Sequence, residues 1–222
     1  MPPVKEKFSN VFTVEGRLAT ANLARGFRVY GEKLIEYEDI EYRLWDPYRS
    51  KLSAAIKNGL RELPIRKGSR VLYLGAASGT TASHVSDIVG EKGVVYCVEF
   101  APRSMRDLVY VCEKRRNMLP LLADASKPEA YARDVKGRVD VIYQDVAQPT
   151  QAEILLANAK LFLKKAGSAL LAIKAASVDV TIRPETIYER VLLELSEKFT
   201  LAQSINLYPY DKDHLFASLR AK

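Results

Sequence analysis

The stretch Val71-Leu-Tyr-Leu-Gly-Ala-Ala-Ser-Gly-Thr-Thr81 constrains the fold more than any other part of the chain. Val71 to Leu74 form a continuous apolar run, as expected of a parallel strand covered on both faces. Gly75 and Gly79 bracket Ala76, Ala77 and Ser78. Such a turn of small residues lets the backbone approach a ligand closely. Thr80, Thr81 and Ser83 follow where a helix should begin, and the free N–H groups of a first turn suit polar or anionic ligand groups. Strand, glycine turn and helix together dictate an α/β sheet with its ligand at the turn.

Spacing narrows the ligand. The dinucleotide fingerprint needs a second glycine where pyrophosphate comes close, and this chain has Ala77 there. No Lys follows Gly79, which excludes a P-loop. A second apolar run, Val94 to Val98, ends in Glu99, 24 residues after Gly75. An acid at that place accepts hydrogen bonds from both hydroxyls of a ribose. A third run, Leu119 to Ala123, ends in Asp124, within reach of an adenine edge. Glycine turn, ribose acid and adenine acid describe an adenosine without a pyrophosphate, and S-adenosylmethionine fits that description.

Two regions differ in texture. Residues 8–47 read as short alternating segments, Val11 to Val14, Leu18 to Leu23, Phe27 to Tyr30 and Lys33 to Leu44, punctuated by Gly16, Gly26 and Gly31. They predict a small antiparallel sheet of hairpins, an N-terminal domain over 1–47. Leu52, Ile56, Leu60 and Leu63 recur at helical spacing and predict a helix from about Tyr48 to Leu63, ended by Pro64. This helix and the connection to 68 lead into a second domain, the whole spanning 48–222. From Ser69 onward strands and helices alternate, which predicts a doubly wound sheet. Val139 to Tyr143 and Ala169 to Ile173 are its fourth and fifth strands, and Pro184 opens a helix. Leu201 to Leu207 and Leu215 to Leu219 form a final hairpin that contributes an antiparallel strand.

Polar residues stand at the ends of the later strands. Asp145 follows the fourth, Lys174 the fifth, and His214 sits where the last begins; Lys51 lies on the bridging helix. In an open α/β sheet the carboxyl ends of the strands line the ligand crevice. These residues therefore converge beside the cofactor's reactive end. Methyl transfer to an alcohol needs in-line placement and help in removing a proton. An Asp-Lys pair orients a hydroxyl and stabilises developing alkoxide charge. A lysine acts as base only if burial or a nearby cation lowers its pKa from about 10.4. Lys51 is placed to be that cation, or to hold a phosphate. The sequence leaves open whether Asp145 or Lys174 takes the proton.

The net charge of +7 favours a polyanionic partner. Two Cys and two His give no metal-site spacing, so no metal is expected, and Cys97 and Cys112 read as core thiols. No run approaches the ~18 apolar residues of a membrane span, and no signal peptide is seen.

The chain resembles the fibrillarin family in its archaeal form. The resemblance rests on Leu74-Gly-Ala-Ala-Ser-Gly-Thr-Thr-Ala-Ser-His-Val-Ser86, Tyr96-Cys-Val-Glu-Phe100, Asp140-Val-Ile-Tyr-Gln-Asp-Val-Ala-Gln148, Lys212-Asp-His-Leu-Phe216 and Trp45-Asp-Pro-Tyr-Arg-Ser-Lys-Leu-Ser53. It implies a Rossmann-like class I methyltransferase sheet, parallel with one antiparallel strand near the C-terminus, preceded by a small antiparallel β domain. It also implies S-adenosylmethionine-dependent ribose 2′-O-methylation of rRNA and tRNA. The family's Lys-Asp-Lys-His tetrad maps onto Lys51, Asp145, Lys174 and His214 as catalytic residues. Its cofactor contacts map onto the turn of Gly75, Ala76, Gly79, Thr80 and Thr81, onto Glu99 and Phe100, onto Asp124 and Ala125, and onto Asp145, Val146, Ala147 and Gln148. Phe100 would flank the adenine.

The implied partners are a box C/D guide RNA, target rRNA or tRNA, a Nop-family scaffold and a kink-turn-binding protein, with no membrane. The chain lacks a Gly/Arg-rich N-terminal tail, which implies an archaeal, cytoplasmic protein. Basic clusters at Arg66 and Lys67, Arg103 and Arg106, Lys114 to Arg116, and Lys164 with Lys165 are candidate phosphate contacts. Two rival readings are methylation of a small molecule or protein, and a non-catalytic module that binds the cofactor. Val-Ala-Gln after Asp145 argues against the acidic metal cluster of a catechol-type transferase.

Overall fold

Alternate residues along the central strands face two separate cores, and this places the crevice of the molecule. The computed structural model describes residues 4–222. Its described residues build two sheets. The first contains β1 (Val4–Phe8), β2 (Val11–Val14), β3 (Arg17–Ala21), β4 (Leu34–Tyr37) and β5 (Ile40–Leu44), in the order β1-β2-β3-β5-β4 and antiparallel throughout. The helix α1 (Lys51–Lys57) leads to the second sheet. Its strands are β6 (Arg70–Leu74), β7 (Val94–Glu99), β8 (Met118–Leu122), β9 (Val139–Gln144), β10 (Leu163–Lys174), β11 (Phe199–Asn206) and β12 (His214–Ala221). They lie in the order β11-β12-β10-β9-β6-β7-β8.

The pairs among β8, β7, β6, β9 and β10 are parallel, while β12 is antiparallel to both of its neighbours. Of the seven strands, β12 alone therefore runs against the rest, as the sequence predicts. Strand order reverses between β6 and β9, and ligands bind outside the carboxyl ends at such a switch point. The helices α2 (Thr80–Val89) and α3 (Pro102–Lys114) cover one face together with α1. The other face is covered by α4 (Gln151–Phe162) and α6 (Pro184–Leu195). Between them α5 (Ala175–Val178) is a single turn after β10. Val71 and Tyr73 of β6 join the first core, and Leu72 and Leu74 join the second. Among the described residues no helix is long and apolar enough to cross a membrane.

Several expectations need correction. Phe27 to Tyr30 is a loop and not a strand. The N–H groups of Val29 and Tyr30 donate to the Glu32 carboxylate, so they are unavailable to a ladder. Lys33 to Leu44 is two strands, β4 and β5, reversed at Glu38-Asp39, whose φ values are +48° and +63°. Both central residues of that hairpin are positive in φ without a glycine, so the usual turn signal is missing. The bridging helix starts at Lys51, where Ser50 caps it through Ser53 N, and it stops at Lys57. Gly59 (φ +100°) leaves the helical conformation, while Leu60 and Leu63 stay in the core and imitate helical spacing.

A buried ionic joint fastens the two sheets. Arg43 of β5 lies 2.6 Å from Glu32 and 2.8 Å from Asp87 of α2, and Arg115 binds Asp87 from the far side. Two cations thus meet two carboxylates, and all four side chains are buried. His84 of α2 stacks on Trp45 at 4.7 Å and contacts Thr20 Oγ1 and Tyr30 Oη, each at 2.8 Å. The hydroxyl of Ser83, which the sequence offers to a ligand, is bound instead to Arg43 and to Thr80 O. Arg115 likewise leaves the basic cluster predicted over Lys114 to Arg116, of which only Lys114 and Arg116 are exposed.

Candidate active site

The turn after β6 is shaped by contact with the loop after β9. Gly75 has φ +81°, and a Cβ there would lie 2.2 Å from Asp145 O. Only glycine permits that approach. The N–H groups of Gly75 and Ala76 both donate to Val98 O, at 2.9 and 3.1 Å, which ties the turn to β7. Ala77 takes φ +48° and donates its N–H to Glu99 Oε2 at 2.7 Å. Ala101 N donates to Glu99 Oε1 at 2.8 Å. Each carboxylate oxygen keeps a lone pair, so Glu99 is held in place while still able to accept from a ligand. Ala77 was legible only as the residue replacing a glycine; its N–H is what orients Glu99.

A cleft of about 220 Å³ opens at this point. Gly75 and Ala77 form its floor, Glu99 and Phe100 one wall, and Asp145 to Gln148 the other, with Ala123 and Ala125 at the far end. Phe100 is 67% exposed and stands open at the rim. Asp124 lies beside the far end. The N–H and hydroxyl of Ser126 bind its Oδ1 at 2.9 and 2.8 Å and hold its carboxyl below the usual carboxylate range. Gln148 approaches it from across the cleft. The remaining turn residues stand apart. Ala76 is buried, Gly79 (φ +90°) caps α2, and Thr80 is its first residue. Thr81 is buried and donates to Ser50 Oγ at 3.0 Å, so its hydroxyl faces α1 and not the cleft.

A larger hollow, about 420 Å³, lies beside the first sheet against Tyr30, Trp45 and Arg49. It contains none of the strand-end acids Glu99, Asp124 and Asp145. The smaller cleft is the one whose donors and acceptors suit an adenosine. Among the described residues no group of three or more His, Cys, Asp and Glu side chains is placed to hold a metal ion.

Asp145 belongs to the cleft wall and to a charged cluster beyond it. Its Oδ2 lies 2.9 Å from Lys51 Nζ. Lys51 is also 3.9 Å from Asp211 Oδ2, and Asp211 Oδ1 is 2.9 Å from His214 Nδ1. The structure thus chains Asp145, Lys51, Asp211 and His214 together, with Asp211 a member that sequence reading missed. The acids of the turn before β12 were the signal, but two residues separate Asp211 from His214 and nothing in the pattern selected it. Lys174 faces His214 directly across the β10–β12 ladder. Its backbone N–H and C=O are clipped by the buried amide of Gln151 at 3.2 and 3.1 Å. Its ammonium makes no ion pair among the described residues. The four residues of the predicted tetrad therefore reach one edge, three joined by contacts and the fourth by register.

The chain as a whole has counterparts among known proteins. Residues 3–222 match the family model described as Fibrillarin. The chain is 53% identical over 221 residues to a fibrillarin-like rRNA/tRNA 2′-O-methyltransferase of Pyrococcus furiosus, covering 97% of each. Among solved structures it is similar to Aeropyrum pernix fibrillarin in complex with natively bound S-adenosyl-L-methionine, with a TM-score of 0.89 and 47% identity. That match covers 99% of this chain and 100% of the other. It is also similar to the matching chain of a fibrillarin/Nop5p complex, with a TM-score of 0.91, 43% identity and coverage of 98% and 100%.

Proposed function

The chain belongs to the fibrillarin family, and from that premise we propose that it methylates ribose 2′-hydroxyls of rRNA and tRNA, using S-adenosylmethionine. The observation that carries the reading is Asp145, which lines the nucleoside cleft and pairs with Lys51 at the same time. One residue thereby sits where cofactor and acceptor must meet.

The cleft fits the cofactor by its donor set. Glu99 accepts from ribose hydroxyls through its free lone pairs, Asp124 accepts from an adenine amino group, and Phe100 flanks the ring. When bound, S-adenosylmethionine supplies an electrophilic methyl group. Asp145 orients the attacking hydroxyl by accepting its hydrogen bond, and Lys51 and Lys174 supply positive charge to the oxygen as its proton leaves. Proton removal by a positioned group contributes about 10²–10⁴-fold, whereas correct placement contributes about 7–11 kcal/mol. Placement dominates, so the rigid backbone contacts around Gly75, Glu99 and Asp145 matter more than the strength of the base.

Placement of the RNA lies largely outside the chain in this reading. A box C/D guide RNA selects the nucleotide by pairing, a Nop-family scaffold docks the enzyme, and a kink-turn-binding protein anchors the guide. Exposed Arg66, Lys67, Arg103 and Arg106 offer phosphate contacts. Lys164 is partly spent on Asp140 at 2.6 Å. The location that goes with this assembly is the archaeal cytoplasm.

The test is transfer from labelled S-adenosylmethionine to an RNA paired with a box C/D guide, with and without scaffold and kink-turn proteins, and with the product position mapped. One methylated ribose, formed in the full assembly and lost in Lys174→Ala, supports the reading. Normal RNA output from the Lys174→Ala assembly refutes a catalytic role for that residue. Label appearing in protein or in a small molecule instead moves the acceptor.

A further inference from the structure

We propose that Asp211 is a positioning residue for methyl transfer, because its carboxylate lies between His214 Nδ1 and Lys51 Nζ and holds both groups at the reacting edge. This rests on the methyltransferase reading above and deepens it.

The tautomer follows from the partners. His214 Nδ1 lies 2.9 Å from Asp211 Oδ1 and 2.8 Å from Lys212 O. A carboxylate and a carbonyl can only accept, so Nδ1 must carry a hydrogen in either charge state of the ring. The neutral ring then offers a lone pair, and not an N–H, at Nε2. The Lys212 carbonyl alone keeps that hydrogen on Nδ1, so what Asp211 adds is negative charge beside the ring. The ring is held beside the reacting edge, because His214 stands opposite Lys174 in the β10–β12 ladder. Its side chain is 10% exposed, so the loss of a polar partner is poorly compensated by water.

The second oxygen of Asp211 reaches Lys51, which it shares with Asp145. The Lys51 ammonium is held between two carboxylates, one from the cofactor side and one from the His214 side. Asp211 is thus the link that sets the distance between these two halves.

The loop does not need the carboxylate in order to close. Backbone bonds from Tyr210 N and Asp211 N to Leu207 O, at 2.9 and 3.1 Å, already make the turn. Asn58 Nδ2 pins its start through Asn206 O and Tyr208 O. The side chain of Asp211 is therefore available for positioning.

Asp211→Asn keeps the size of the group and removes its charge. The Lys212 carbonyl stays on Nδ1, and the negative charge is taken from beside both Lys51 and the ring. The full chain holds two histidines, so the imidazole ¹⁵N spectrum has two rings to assign, and His84→Asn identifies the second. We expect the His214 ring to carry hydrogen on Nδ1 in both proteins, and its ¹⁵N resonances to move in Asp211→Asn as the neighbouring charge is lost. In the complete guide assembly we expect kcat to fall at least about tenfold, with KM for RNA and cofactor little changed, by the same logic that governs orienting carboxylates in other His-dependent sites. Asp211→Glu should restore most of kcat. An unchanged His214 spectrum in Asp211→Asn overturns the inference, as does wild-type kcat in that variant. A fall in kcat that Glu does not rescue, in a chain with an unchanged melting temperature, also overturns it. A wild-type assembly that binds cofactor but methylates no RNA overturns instead the reading beneath it.

Discussion

Gly75 and Asp145 touch backbone to backbone, with the place of a Cβ on Gly75 only 2.2 Å from the carbonyl oxygen of Asp145. The turn that floors the cofactor cleft and the loop that carries the cleft's far wall are therefore a single packed unit. Gly75→Ala adds strain at φ +81° and overlap with an immovable carbonyl. Each effect costs about 1–3 kcal/mol, so the variant should lose about 2–6 kcal/mol in urea unfolding. Where the chain still folds, cofactor binding should fall with it. Unchanged stability would mean that the contact relaxes at no cost.

Glu99 is held by two backbone N–H groups and keeps its other lone pairs for a ligand. Glu99→Ala should weaken S-adenosylmethionine binding by roughly 1–3 kcal/mol, since ribose hydroxyls lose their acceptors. Calorimetry reads this directly, and wild-type affinity would remove Glu99 from the cofactor site.

Asp87 neutralises Arg43 and Arg115 at once in the joint between the sheets. Asp87→Ala strands buried positive charge and should cost about 3–5 kcal/mol in chemical denaturation. Asp87→Asn should cost less, because the amide oxygen still accepts. A loss under 1 kcal/mol for the alanine variant would show that water reaches the joint.

His84 gives the joint a pH dependence. Burial first, then the nearby Arg43 and Arg115 cations, push its pKa well below the usual histidine value. The folded ring stays neutral while the unfolded ring gains a proton below about pH 6.5, so the unfolded state binds more protons. Stability contributed by His84 is full above that pH and falls as pH drops, by at most about 1.4 kcal/mol per pH unit. The window to measure lies between about pH 6.5 and 5.5, above the range where most carboxylates titrate. His84→Asn should flatten this slope, and His214, present in both proteins, cancels from the comparison. Equal slopes would mean that the buried ring takes up a proton as readily as an exposed one.

Much of the second sheet was legible because its strands are buried on both faces and read as apolar runs that end in polar residues. Glu99, Asp145 and Lys174 could be placed on one edge because parallel strands present their carboxyl ends together, and His214 joins them because it opens a strand that runs the other way. The first sheet was harder. Its β1, Val-Lys-Glu-Lys-Phe, is mostly exposed and charged. The reversal at Glu38-Asp39 uses no glycine. The joint was invisible because Glu32, Arg43, Asp87 and Arg115 are spread along the chain, and each alone looks like a surface charge. Lys51 and Asp211 illustrate the general limit: a strand end fixes a residue's edge, but only tertiary contact decides which charges share a proton or a counterion.

The buried joint has a consequence for how the enzyme meets its RNA. Four opposed charges sealed from water, with a stacked histidine beside them, leave the two sheets no hinge between which to close on a substrate. The protein must be carried to each target ribose as one inflexible tool. The reach and angle that successive nucleotides demand have to be found by swinging the whole enzyme on whatever holds it.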